Sequence, residues 1–223
     1  KMDLNESEKT LAKETGIEED ILLILKKEND SELKKLESPE IYDIKGNKIR
    51  ESLAGIYFKY KDYESSKSLV YNLRKKLAPS GYIPFICEMD FLSNKRNCNI
   101  GVFRAKDIFE VINLMETNGI NYEVTTEEVI ERLKYWEGLC SFQVIGIHPT
   151  WLDIDFITLP DDLKSFAEDI YEFCPDTLDQ GYLGPLLEED SDWDDFDEAF
   201  DSQTTEDLAN FLERNRAIFL WWD

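Results

Sequence analysis

Histidine occurs once, at position 148, so no zinc or iron site with several imidazoles can form within one chain. A thiol paired with His148 is the one histidine-based nucleophile available, and Cys87, Cys98 and Cys140 are the thiols open to it. No nucleophile motif surrounds His148. Cysteine is also scarce: four residues with no Cys-x-x-Cys pair are too few for a disulfide scaffold and read as reduced thiols of a cytoplasmic protein. A Cys87 to Cys98 bridge across a hairpin is the one link to test. Cys174 ends a helical pattern, where the dipole disfavours a thiolate, and is expected in the core. No glycine-rich phosphate loop is present. No apolar run approaches the roughly 20 residues needed to cross a bilayer, which argues against a membrane partner. No charged-then-apolar leader follows Lys1-Met2.

Positive charge is what the second half lacks. Residues 1 to 110 carry 20 basic and 20 acidic side chains, whereas residues 111 to 223 carry five basic and 28 acidic, so the second half holds the whole net charge of −23. Such a field repels nucleic acid and anionic lipid, because phosphate binding needs Lys and Arg to displace counterions. Arg74-Lys75-Lys76 and Lys95-Arg96 are too few to reverse that expectation. A basic protein is the partner such a surface attracts.

What the chain does have is apolar material: 42% hydrophobic and 13% aromatic residues, enough to fold most of its length. Residues 1 to 50 are highly charged, with helix-like patches at Leu4 to Lys13 and Ile21 to Glu28, and read as a helical appendage. From Gly55 the pattern becomes regular. Gly55 to Lys61 is strand-like, Leu69, Val70, Leu73 and Leu77 recur at helical spacing, and Pro79-Ser80-Gly81 stops that helix. Tyr82 to Phe91 and Cys98 to Arg104 suit a hairpin. Ile108, Val111, Ile112 and Met115 then mark a helix, and Ile120 to Val124 reads as a strand.

A similar order recurs beyond it. Thr125-Thr126-Glu127-Glu128 is a capping box ahead of Val129, Ile130, Leu133 and Trp136. Ser141 to His148 and Trp151 to Leu159 read as strands, and Leu163, Phe166, Ala167, Ile170, Tyr171 and Cys174 line one helical face. Thr204 to Arg214 reads as a helix and Ala217 to Trp222 as a closing strand. The expectation is an α+β fold of two tandem ferredoxin-like βαββαβ units, residues 51–124 and 120–223, with an acidic insertion at 183–207.

Chemistry has few places to reside. Asp190, Asp192, Asp194, Glu198 and Asp201 follow a calcium-loop spacing, but Asp195 stands where the tight turn wants Gly and Asp201 replaces the bidentate Glu, so this is a weak calcium candidate. Asp153 and Asp155 alternate with Leu152, Ile154 and Phe156. They could serve acid/base work or hold magnesium, although alternation by itself predicts solvent-facing charges. No resident cofactor is expected. Between Glu188 and Asp207 lie 11 acidic residues and no basic one, and Trp193, Phe196 and Phe200 recur at helical spacing among them. That stripe, with Asp194 and Asp195, is a candidate partner-binding element. At the end of the chain, Trp221 and Trp222 should point to opposite faces of a strand.

Thr117-Asn118-Gly119-Ile120-Asn121-Tyr122, Leu159-Pro160, Phe166-Ala167, Phe173-Cys174-Pro175-Asp176, Asp179-Gln180-Gly181 and Leu220-Trp221-Trp222-Asp223 form a series over about residues 115 to 223. It resembles the bacterial domain-of-unknown-function family 4253. The resemblance implies a cytoplasmic bacterial protein and carries no activity. It also implies that Cys174, Asp176, Gln180, Trp222 and Asp223 gather at one place on the fold, a candidate site rim. The function expected is a non-enzymatic, immunity-like acidic module that docks a basic partner. The alternative is a divalent-metal-dependent hydrolase of unfamiliar type built from carboxylates such as Asp153, Asp155 and Asp176.

Overall fold

Runs rich in apolar, branched and aromatic residues over 54–59, 82–89 and 98–104 give three of the strands around which the first part of the chain is built. The computed structural model describes residues 3–42, 45–50, 52–91, 96–179 and 204–222, and the chain divides into two units between Glu116 and Thr117.

In the first unit, α1 (Glu6–Thr15) begins with a capping box. Asn5 accepts from the Glu8 backbone N–H at 2.9 Å and Glu8 accepts from the Asn5 N–H at 2.7 Å. Next, α2 (Glu19–Glu28) buries Ile21, Leu22 and Leu25. β1 (Lys34–Glu37) pairs antiparallel with β4 (Ala54–Lys59), and a short hairpin of β2 (Ile41–Tyr42) and β3 (Lys48–Arg50) lies between them in sequence. α3 (Tyr63–Leu77) is capped by Asp62 and buries Leu69, Val70, Leu73 and Leu77 at the expected spacing. β5 (Tyr82–Met89) and β6 (Cys98–Arg104) form the expected hairpin, and β4 adds to the far side of β6, all antiparallel. α4 (Ile108–Met115) completes the unit with Val111, Ile112, Leu114 and Met115 inward.

From Ala54 to Met115 the elements run β-α-β-β-α with strand order β4-β6-β5, as in the first five elements of the split βαβ plan. The sixth element departs from expectation. Ile120–Tyr122 is a 3-10 turn rather than a strand. Asn118 and Gly119 redirect the chain: the Asn118 side chain accepts from the Ile120 N–H at 3.1 Å, and the Gly119 carbonyl accepts from the Tyr122 N–H at 2.8 Å. Glu123 then takes a left-handed φ of 59°, which no strand tolerates. The open edge of β4 is filled by β1, from the N-terminal side of the chain.

In the second unit, α5 (Thr126–Glu137) starts at the expected capping box, with Glu128 accepting from the Thr125 N–H at 2.8 Å. β7 (Phe142–His148), β8 (Trp151–Phe156) and β9 (Ala217–Trp221) form antiparallel neighbours in the order β7-β8-β9. With no strand at 120–124, β9 lies directly against β8, so this unit also differs from a complete βαββαβ plait. α6 (Leu163–Phe173) is capped by Asp162 and stops ahead of Pro175, which excludes helical backbone at Cys174. The short α7 (Asp176–Asp179) follows, and α8 (Thr205–Asn215) packs beside α6. Phe166 of α6 is the hub of one face of the sheet: its ring lies 5.7 Å from Phe156 of β8 and 5.3 Å from Trp136 of α5. Asp169 ties α5 to α6 by accepting from the Trp136 indole N–H at 2.6 Å while pairing with Arg132.

Candidate functional site

The Cys-Pro-Asp corner between α6 and α7 is tied to the end of β9 by side-chain to main-chain hydrogen bonds. Pro175 forces the chain out of α6, and the groups freed there find partners on the last strand. The Cys174 thiol donates to the Trp221 carbonyl at 3.0 Å, and the Trp222 indole N–H donates back to the Phe173 carbonyl at 3.3 Å. Thr177 closes the corner by donating from its hydroxyl to the Cys174 carbonyl at 2.6 Å. Cys174 is fully buried, and burial pushes its thiol far above the ordinary range.

The Thr117 to Val124 turn joins the same corner. Tyr122 donates its phenolic hydrogen to the buried Asp176 carboxylate, and that hydrogen bond, helped by burial, pushes the Tyr122 hydroxyl up to about 12. Gly119 lies flat against the Trp222 ring. Upstream, the Thr117 hydroxyl donates to the His148 carbonyl at 2.8 Å and the Asn118 N–H to the Pro149 carbonyl at 2.9 Å. Three of the five expected rim residues, Cys174, Asp176 and Trp222, therefore belong to one bonded cluster. Gln180 and Asp223 lie outside the described residues. Tyr122 and Gly119 belong to the cluster as well. Their place could be read only as part of the family-like series, since a tyrosine after Asn-Gly carries no signal of a buried carboxylate elsewhere.

On its other face the sheet bears Trp151, Asp153 and Asp155 of β8, with Gly146 and Phe219 opposite Asp153. The expectation of solvent-facing carboxylates is corrected here: Asp153 is wholly buried and Asp155 half-buried, because β8 is the middle strand and is covered on both faces. Gly146 makes room for this packing, since a Cβ there would stand 2.6 Å from the Trp151 ring. Trp151 stacks on His148 at 5.3 Å, and Phe219 lies 5.2 Å away on its other side. His148 accepts from the Thr150 N–H through Nδ1 at 3.2 Å.

Within this unit the thiol open to pairing with His148 does not form a dyad with it. Cys140 precedes β7 and His148 ends it, the strand Phe142–His148 between them alone spanning roughly 20 Å at strand rise, and the Cys140 thiol donates to the Trp136 carbonyl instead. In the first unit, Cys87 and Cys98 are free thiols, buried, each donating to a main-chain carbonyl, so the Cys87 to Cys98 bridge is not formed. Among the described residues, no group of three or more His, Cys, Asp or Glu side chains is placed to hold a metal ion. The calcium-like positions Asp190, Asp192, Asp194, Glu198 and Asp201, and the stripe Trp193, Phe196 and Phe200 with Asp194 and Asp195, lie outside the described residues. No helix among those residues is long and apolar enough to cross a membrane.

The corner, the turn that feeds it and the last strand belong to one recognised sequence family. The chain is a member of the family described as Domain of unknown function (DUF4253), which matches residues 99–223. The match starts earlier than the resemblance at about residue 115 and takes in β6 from Asn99 onward and α4. No curated protein and no solved structure matches the chain.

Proposed function

We propose that this protein is a non-enzymatic binding module whose acidic second unit docks a basic protein, in the manner of an immunity protein neutralising its target. The observation that supports it is the charge of that unit: residues 117–223 carry 27 acidic and five basic side chains. Arg132 pairs with Asp169, Arg214 donates to the Asn210 carbonyl at 3.2 Å, and Arg216 donates to the Ile157 carbonyl at 3.1 Å. The carboxylates Glu127, Glu131, Glu137, Glu168, Glu172, Glu206 and Glu213 stand exposed on α5, α6 and α8. Complementary charge of that kind steers association and fixes orientation more than it adds raw affinity.

The corner of Cys174, Asp176 and Trp222 acts in this reading as the brace that holds the last strand, leaving the helices to meet the partner. The hydrolase reading lacks a comparable support, since Asp153 is sealed inside the sheet and Asp176 is committed to Tyr122.

The test is retention of proteins from a bacterial lysate on the immobilised chain, eluted by a salt gradient. Basic proteins should be held at low salt and released as ionic strength rises through about 0.15 M, where the screening length shortens to about 8 Å. Retained proteins without a basic bias, or retention indifferent to salt, would sink the proposal.

A further inference from the structure

The exposed side of α5 offers more than negative charge. Between α5 and α6 runs a surface groove of about 560 Å³, lined among others by Glu128, Glu131, Tyr135, Asp169 and Glu172. Its floor is fixed: Arg132 lies over the Phe173 ring at 5.0 Å and pairs with Asp169, which also holds Trp136. Four carboxylates thus line the groove with one guanidinium that is already paired with Asp169, and the rim keeps an excess of negative charge. Glu128, Glu131 and Tyr135 stand at i, i+3 and i+7 along one stripe of α5. Tyr135 is 56% exposed, and Leu139, just past the helix end, is 44% exposed. At 1.5 Å per residue the stripe from Glu128 to Tyr135 is roughly 10 Å long, acidic at its start and apolar at its end.

We infer that this groove is the docking surface for a short basic and apolar segment of the partner, resting on the acidic-module reading above. Two basic side chains of the segment meet Glu128, Glu131 and Glu172. A neighbouring apolar or aromatic residue packs on Tyr135 and Leu139, where the phenol ring can also receive a cation on its face. Charge complementarity selects this occupant: an acidic peptide would meet like charge along the rim, and a purely apolar one would have to strip water from three carboxylates.

The probes are two capped synthetic peptides, tetra-arginine and tetra-arginine extended by Leu-Trp, titrated into the full chain at low salt with residue-resolved NMR. The longer peptide should bind several-fold more tightly. Shifts should concentrate on Glu128, Glu131, Tyr135 and Glu172. Tyr135→Ala should abolish the gain of the longer peptide while leaving tetra-arginine binding within twofold. Glu131→Lys with Glu172→Lys should weaken both peptides about tenfold, each exposed pair being worth up to a factor of about five. Melting temperatures of the variants, all altered at exposed positions, show whether the fold is kept. If both peptides bind but the shifts fall elsewhere on the acidic surface, the groove is wrong and the acidic-module reading survives. If neither peptide binds at low salt, both fail.

Discussion

Gly119 lies against the indole of Trp222 so closely that a Cβ at 119 would stand 2.5 Å from the ring Cδ1. The backbone of Gly119 has φ −118°, a conformation open to any residue, so what demands glycine here is space. Gly119→Ala should therefore destabilise the protein by about 1–3 kcal/mol, the cost of overpacking. In a Trp222→Leu background the same substitution should cost clearly less. Equal costs in the two backgrounds, measured by denaturant unfolding, would show that the ring is not what Gly119 accommodates.

Tyr122 gives the corner a pH signature. Its hydroxyl is pushed up to about 12 in the folded chain by the hydrogen bond to Asp176, against about 10 for an ordinary tyrosine. The folded state therefore holds this proton more tightly than the unfolded one. The associated stability is complete below about pH 10 and is lost as pH rises toward 12. Tyr82, likewise pushed up to about 12 by burial and by its hydrogen bond to Glu18, adds to the same slope. Unfolding midpoints between pH 9 and 12 should fall more gently for Tyr122→Phe than for the parent chain, and an unchanged slope would contradict the assignment.

Asp169 serves two residues of α5 at once, accepting from the buried Trp136 indole and pairing with Arg132. Asp169→Ala strands a buried N–H and should cost about 1–3 kcal/mol. Asp169→Asn keeps an acceptor for the indole and gives up the ion pair. That pair is partly exposed and worth less than about 1 kcal/mol, so the Asn variant should be the more stable of the two. Chemical denaturation of both variants decides the matter. Equal losses would assign the whole effect to the charge.

All four thiols are buried, and burial raises Cys87 and Cys174 well above the ordinary range and Cys140 to about 11. The native protein at neutral pH should react with a thiol reagent only over hours, and with all four equivalents at once in denaturant. A thiol that reacts within seconds in the native state would reopen nucleophilic chemistry at that position.

Sequence by itself determined the elements with strong local signals. The capping box at Thr125, the stop before Pro175, the inward faces of α3 and α6, and the β5-β6 hairpin are all set by neighbours within a few residues, so their patterns survive as text. The gathering of Cys174, Asp176 and Trp222 was legible only through the family-like series. Tertiary structure alone decided what depends on distant groups. Ile120 to Val124 alternates like a strand, yet Asn118 and Gly119 turn the chain, Tyr122 is drawn to an acid 54 residues away, and Ile120 is left 75% exposed. Asp153 alternates like a surface charge, yet it lies inside because β8 has strands on both sides and cover on both faces, a fact of sheet order that no local period encodes. The edge of β4 went to β1 for the same reason: an unpaired row of N–H and C=O groups takes whichever segment the folded chain brings beside it.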